Sequence, residues 1–101
     1  MASQAAQSKN MAGPVMRTGE IADAVVEAAR EDNPDKEIVV VDHISYIRIE
    51  AEGGMTIRRD TVEEYLGRPF QMRELEVNLS GFAGQNDTQE DFVRFYLEKK
   101  L

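Results

Sequence analysis

Cysteine and tryptophan are absent from this 101-residue chain, histidine occurs once, and acidic residues outnumber basic ones by 19 to 12. Without cysteine there is no disulfide, thiolate metal site, Cys nucleophile or cysteine-ligated iron–sulfur cluster. A net charge of -7 disfavours nucleic acid, whose phosphates need a basic stripe, and it disfavours an anionic membrane surface. The longest unbroken aliphatic run, Ile38 to Val41, falls far short of the ~20 residues that cross a bilayer. The opening MASQAAQSKNMAGP has no apolar segment of the secretory kind. The expected location is therefore the cytoplasm, with no partner among nucleic acids or membranes.

A chain of this length makes one domain, and its 42% hydrophobic content is ordinary. Residues 1–12 are rich in Ala, Gln and Ser, with no periodic apolar face, and read as a flexible tail. Residues 13–101 read as the folded domain. All the acidic residues lie beyond Gly19, so the acidity belongs to the folded part. Val15 and Met16 suit a short strand. Thr18 stands where a helix N-cap belongs, with Glu20 in the first turn. Ile21, Ala24, Val25 and Ala28 then repeat as one buried helical face, and Asn33-Pro34 stops the helix.

Ile38 to Val41 is continuously β-branched, as in a strand covered on both faces. From Tyr46 to Ala51 the pattern alternates, with Ile47, Ile49 and Ala51 on one side. Glu52-Gly53-Gly54 is a turn signal, so Met55 to Arg58 is expected to return as the hairpin partner. Asp60 with Glu63 resembles a capping box, and Gly67 followed by Pro69 ends that helix. Met72 to Leu79 reads as a short helix passing into extended chain. Gly81 to Gln85 and Phe92 to Leu97 form a second expected hairpin, turning through Asn86 to Asp91. Both faces of its last strand carry aromatics, which suggests that a partner covers one of them. The sum is an α+β fold: a small single domain, mainly antiparallel sheets, with two to three short helices.

Chemistry-bearing groups are sparse. His43 has no second His or Cys to share a metal with, and none of Ser3, Ser8, Ser45 and Ser80 sits in a nucleophile elbow. Glu63-Glu64 and Glu74-x-Glu76 are acidic pairs, which on short helices are ordinarily solvated faces. Gly81-x-x-Gly84 lacks the strand and helix context of a phosphate cradle. Arg58, Arg59 and Arg68 have acidic neighbours to pair with. Met55 and Met72 read as core filler. No nucleophile–base pair, metal-ligand set or cofactor cradle emerges, which leaves a domain that binds.

Three stretches say more. They are Tyr65-Leu66-Gly67-Arg68-Pro69-Phe70, then Glu74-Leu75-Glu76-Val77-Asn78-Leu79-Ser80-Gly81-Phe82-Ala83-Gly84-Gln85, and Val93-Arg94-Phe95-Tyr96. Together they resemble the effector (coupling or regulatory) proteins of bacterial multicomponent diiron monooxygenases, the methane/phenol monooxygenase regulatory protein family. The likeness is strongest to the toluene monooxygenase effectors and reaches back through Asp32-Asn33-Pro34 to Gly13. It implies a non-catalytic, cofactor-free monomer that docks on the diiron hydroxylase and modulates oxygen activation, coupling and regiospecificity in aromatic hydrocarbon catabolism. The family's Asn-x-Ser-x-x-x-Gly loop falls on Asn78, Ser80 and Gly84. The implied hydroxylase interface is accordingly Asn78, Ser80, Gly81, Phe82, Gly84 and Gln85. Structural roles, with Asn78 serving backbone groups and Phe82 in the core, are compatible with docking, because scaffolded loops often bind. The competing reading is a small cofactor-free enzyme using His43 with a carboxylate such as Asp42. A constitutive subunit of another oxygenase complex is a third.

Overall fold

The computed structural model describes residues 10–98. Strand β1 spans Met11–Arg17 and is followed by helix α1, Glu20–Asp32. Three strands come next, β2 (Val39–Asp42), β3 (Tyr46–Glu52) and β4 (Gly54–Arg58). Helices α2 (Arg59–Leu66) and α3 (Met72–Asn78) lead to β5 (Leu79–Ala83), β6 (Gln85–Thr88) and β7 (Phe92–Tyr96). The strands form two antiparallel sheets, ordered β2-β3-β1-β5 and β4-β7-β6. The α+β class and the mainly antiparallel pairing are as the sequence implied.

α1 buries Ala22, Ala24, Val25, Val26, Ala28 and Ala29, a wider face than the four expected positions. Its small side chains allow close approach to α2 and β4. The core joins Val25, Met16, Ile49, Ile57, Phe70 and Phe95, all under 2% exposed, from both sheets and the helices. Met11, Met16, Met55 and Met72 are all buried.

β1 begins two residues before the expected domain boundary. Met11 and Ala12, assigned from sequence to the tail, are buried and pair with Glu52 and Ala51. The rest of that expected tail, residues 1–9, lies outside the described residues.

Local expectations differ from the fold in five places. Ile38 to Val41 is not covered on both faces, because β2 is an edge strand and Val41 is 41% exposed. β3 and β4 do not pair. Gly53-Gly54 is a turn, with φ of 78° and 101°, but it carries the chain from one sheet into the other. β3 pairs with β1 and β2, and β4 pairs with β7. A Cβ on Gly54 would collide with the Phe95 carbonyl, so the crossing needs glycine. Thr18 does not cap α1; Gly19 holds that position while the Thr18 hydroxyl donates to the Ile44 carbonyl at 2.9 Å.

The Asp60–Glu63 box does not form either. The Arg58 N–H at the start of α2 is met by Asp32 of α1 at 2.8 Å, and Asp32 also accepts from Thr61. Glu63 instead accepts from the Phe70 N–H at 2.9 Å. Finally, the second hairpin is β6–β7, starting at Gln85, with its turn narrowed to Gln89–Asp91. Gly81 to Ala83 belongs to β5 and pairs with β1.

Candidate functional site

The segment expected to bind begins on a firmly held helix. α3 opens with a capping box between Gln71 and Glu74, in which the Glu74 carboxylate accepts from the Gln71 N–H at 3.1 Å. Arg68 reaches that carboxylate at 3.2 Å and Glu20 of α1 at 3.1 Å. The Gln71 N–H first, and then the Arg68 guanidinium, hold the Glu74 carboxyl below the usual carboxylate range. Tyr65 on α2 ties to α1 through Glu31 at 2.7 Å, and this bond pushes its phenol up.

At the end of α3, the Asn78 side-chain amide donates to the Glu74 carbonyl at 2.8 Å. It satisfies one of the orphan carbonyls of the last turn, so Asn78 has the structural role. The chain then straightens into β5. Between the pairs Val15–Gly81 and Met16–Leu79 the register slips by one residue, so Ser80 is the extra residue of a β-bulge. Bulges re-aim side chains, and Ser80 is exposed.

Phe82 is no core residue. It is 47% exposed, with its ring tilted 6.0 Å from the buried ring of Phe95. Gly81 has open space where a Cβ would stand. Gly84, at φ 88°, lies against the Tyr96 carbonyl and Ala12 as the chain crosses to the second sheet. Gln85 opens β6 and is exposed. The six residues thus form one continuous stretch, in which Ser80, Phe82 and Gln85 present side chains to solvent while Asn78 and Gly84 hold the backbone.

Sequence reasoning missed Val77, which is 66% exposed beside this stretch. A signal existed, since Val77 lies off the Met72–Leu75–Leu79 helical stripe. Val77 and Phe82 each expose apolar area in this segment, along with the polar Ser80 and Gln85. Such a surface binds by shape, area and a few hydrogen bonds.

His43 lies in the turn between β2 and β3, outside this stretch. It is exposed and stacks on Tyr46 at 4.7 Å. The neighbouring Asp42 carboxylate accepts from the Ile44 N–H at 2.7 Å, so it is committed to the turn and not to the imidazole. Among the described residues no three His, Cys, Asp or Glu side chains converge as a metal site, and no helix is long and apolar enough to cross a membrane.

Comparison with known proteins gives this geometry a context. The effector subunit of the alkene monooxygenase system of Xanthobacter autotrophicus is 36% identical over 88 residues, covering 87% of each chain. The stimulatory component DmpM of phenol 2-monooxygenase from a Pseudomonas species is 47% identical over 76 residues, 75% of this chain and 80% of that one. A chain from the structure of the phenol hydroxylase–regulatory protein complex superposes with a TM-score of 0.73 at 32% identity, covering 87% of this chain and 99% of its own. The soluble methane monooxygenase regulatory protein B shares the fold, with a TM-score of 0.65 over 89% of this chain and 67% of that one, at 23% identity. The profile of the MmoB/DmpM family matches residues 10–96, and the chain belongs to that family.

Proposed function

We infer that this chain is the effector component of a multicomponent monooxygenase, a regulatory protein that binds the hydroxylase component and is not itself the catalyst. The family match over residues 10–96, with relatives named effector and stimulatory components, carries the reading. The relatives act in phenol and alkene systems. An aromatic hydrocarbon of the toluene kind is the finer substrate assignment for the system this chain serves. Its place of action is the cytoplasm.

A protein without a reactive group alters its partner's rate only by favouring one of the partner's conformations. A preference of ~1.4 kcal/mol changes a population or rate tenfold. An ordinary interface, burying ~1,600 Å² in total, can carry that bias. Docking also keeps water from reactive intermediates. The docking stretch is Asn78, Ser80, Gly81, Phe82, Gly84 and Gln85, presented by the domain of residues 13–101 together with Met11 and Ala12. Ser80, Phe82 and Gln85 make the contacts; Asn78 and Gly84 set their positions.

The test is a titration of this chain into its hydroxylase with the electron-transfer proteins present, following product and NADH together. Product per NADH should rise and saturate near one chain per active site. Phe82→Ser, which removes exposed apolar area, should shift the saturation point upward about tenfold. An active hydroxylase indifferent to the chain overturns the assignment.

A further inference from the structure

The docking stretch meets the solvent face of the first sheet at Gly81, the neighbour of Phe82 on the other side of edge strand β5. Residues paired across antiparallel strands share a face. Val41 pairs with Arg48, Arg48 with Val15, and Val15 with Gly81. This row crosses all four strands of the first sheet, about 14 Å at the usual strand spacing, and ends inside the proposed docking stretch. Its residues lie opposite the buried face formed by Ile47, Ile49 and Met16. The next row on the same face pairs Arg17 with Tyr46. Val41, Arg48, Arg17 and Tyr46 are exposed, and space above Gly81 is open.

At the end of this face stands the β2–β3 turn, and its tip is unusual. Ile44 is 88% exposed and has φ of 76°. A β-branched residue rarely adopts that conformation, and it persists only where surrounding contacts impose it. Here they do. Asp42 accepts from the Ile44 N–H at 2.7 Å, Thr18 donates to its carbonyl at 2.9 Å, and the His43 N–H donates to Tyr46 at 2.8 Å. The turn therefore holds a bare isoleucine rigidly in solvent, at a conformational cost that glycine or asparagine would avoid.

The composition of the face identifies the kind of occupant. In a chain of net charge -7, the paired rows of this face from Tyr46 to Glu50 bring two arginines, Arg17 and Arg48, and one acid, Glu50, which Arg48 meets at 3.5 Å. Apolar area with arginine and tyrosine, poor in acid, is the composition of a protein interface core. We propose that the solvent face of the β2-β3-β1-β5 sheet, anchored by Ile44 at its tip, is a second half of the hydroxylase docking surface, continuous with the Asn78–Gln85 stretch. This rests on the effector reading, because the occupant is the same hydroxylase.

The experiment measures the dissociation constant of the full chain for the purified hydroxylase, using wild type, Ile44→Gly, Val41→Lys and, as a reference, Phe82→Ser. Ile44→Gly relieves the positive φ, so its melting temperature should equal or exceed that of wild type. Val41→Lys sits on an edge strand, where lysine is tolerated. Both should weaken binding about tenfold. If Phe82→Ser weakens binding while Ile44→Gly and Val41→Lys leave it unchanged, the sheet face is overturned and the effector reading stands. If wild type itself fails to bind an active hydroxylase, the effector reading falls and this inference falls with it. A free chain that is dimeric and becomes monomeric with Ile44→Gly, while hydroxylase binding holds, assigns the face to self-association and also overturns it.

Discussion

Glu74 shows how one side chain serves both fold and site. Its carboxylate caps α3, receives Arg68 and so fixes the helix from which the docking stretch departs. Because the folded state holds this carboxyl below its ordinary value of 4.5, the unfolded chain takes up the proton first as pH falls. The stabilisation is therefore complete above pH 4.5 and drains away as pH drops through the lower folded value. Glu74→Gln should melt below wild type at neutral pH, and the gap should close in acid; thermal melts by circular dichroism from pH 7 to pH 3 check this. Capping was legible as a motif, since Gln71 precedes Glu74 by three residues, yet the sequence reading placed the box at Asp60 and Glu63. Both stretches have suitable residues. What decides is Asp32, 26 residues upstream of Arg58, which occupies the start of α2 and frees Glu63 for Phe70. No local window contains that competition.

At the scale of elements, α1 is stitched to the free edge of β4 by Asn33. Its amide donates to the carbonyls of Ala29 and Thr56, both at 2.8 Å, and its oxygen accepts from the Thr56 N–H at 3.1 Å. Asn33 is 8% exposed, so removing it strands buried polar groups. Asn33→Ala should cost about 2 kcal/mol, seen as a melting temperature lower by roughly 10 °C. Asn33→Asp turns a carboxylate oxygen toward the two carbonyls that the amide served and should cost at least as much. The sequence marked Asn33 only as the residue before a proline. In the same way, alternation identified β3 correctly, and the glycines after it identified a turn. Alternation says which residues face inward and not which strand lies alongside. β3 found its neighbour in β1, some thirty-five residues earlier, and the hairpin expectation failed there. For the candidate site, the helix-to-strand passage at Asn78 was readable from its pattern. The exposure of Phe82 was not, because an aromatic beside glycine looks the same whether buried or bare.

In the whole molecule the interior places of the two sheets go to strands from distant parts of the sequence. β1 lies between β3 and β5, and β7 lies between β4 and β6. Deleting residues 92–101 should therefore not trim an edge but remove the strand joining β4 to β6, with Val93 and Phe95 from the core. The shortened chain should lack cooperative melting and near-ultraviolet dichroism altogether; a retained sharp transition would contradict the interlocked arrangement. The order of strands also bears on synthesis. A ribosome that has just completed β5 has produced a chain whose second sheet consists of β4 alone, with Met55 and Ile57 still without the strand that covers them. Unfinished chains with uncovered apolar strands are the ones that aggregate. Until β7 emerges β4 lacks its partner strand, and the net charge of -7 works against association of chains in that state.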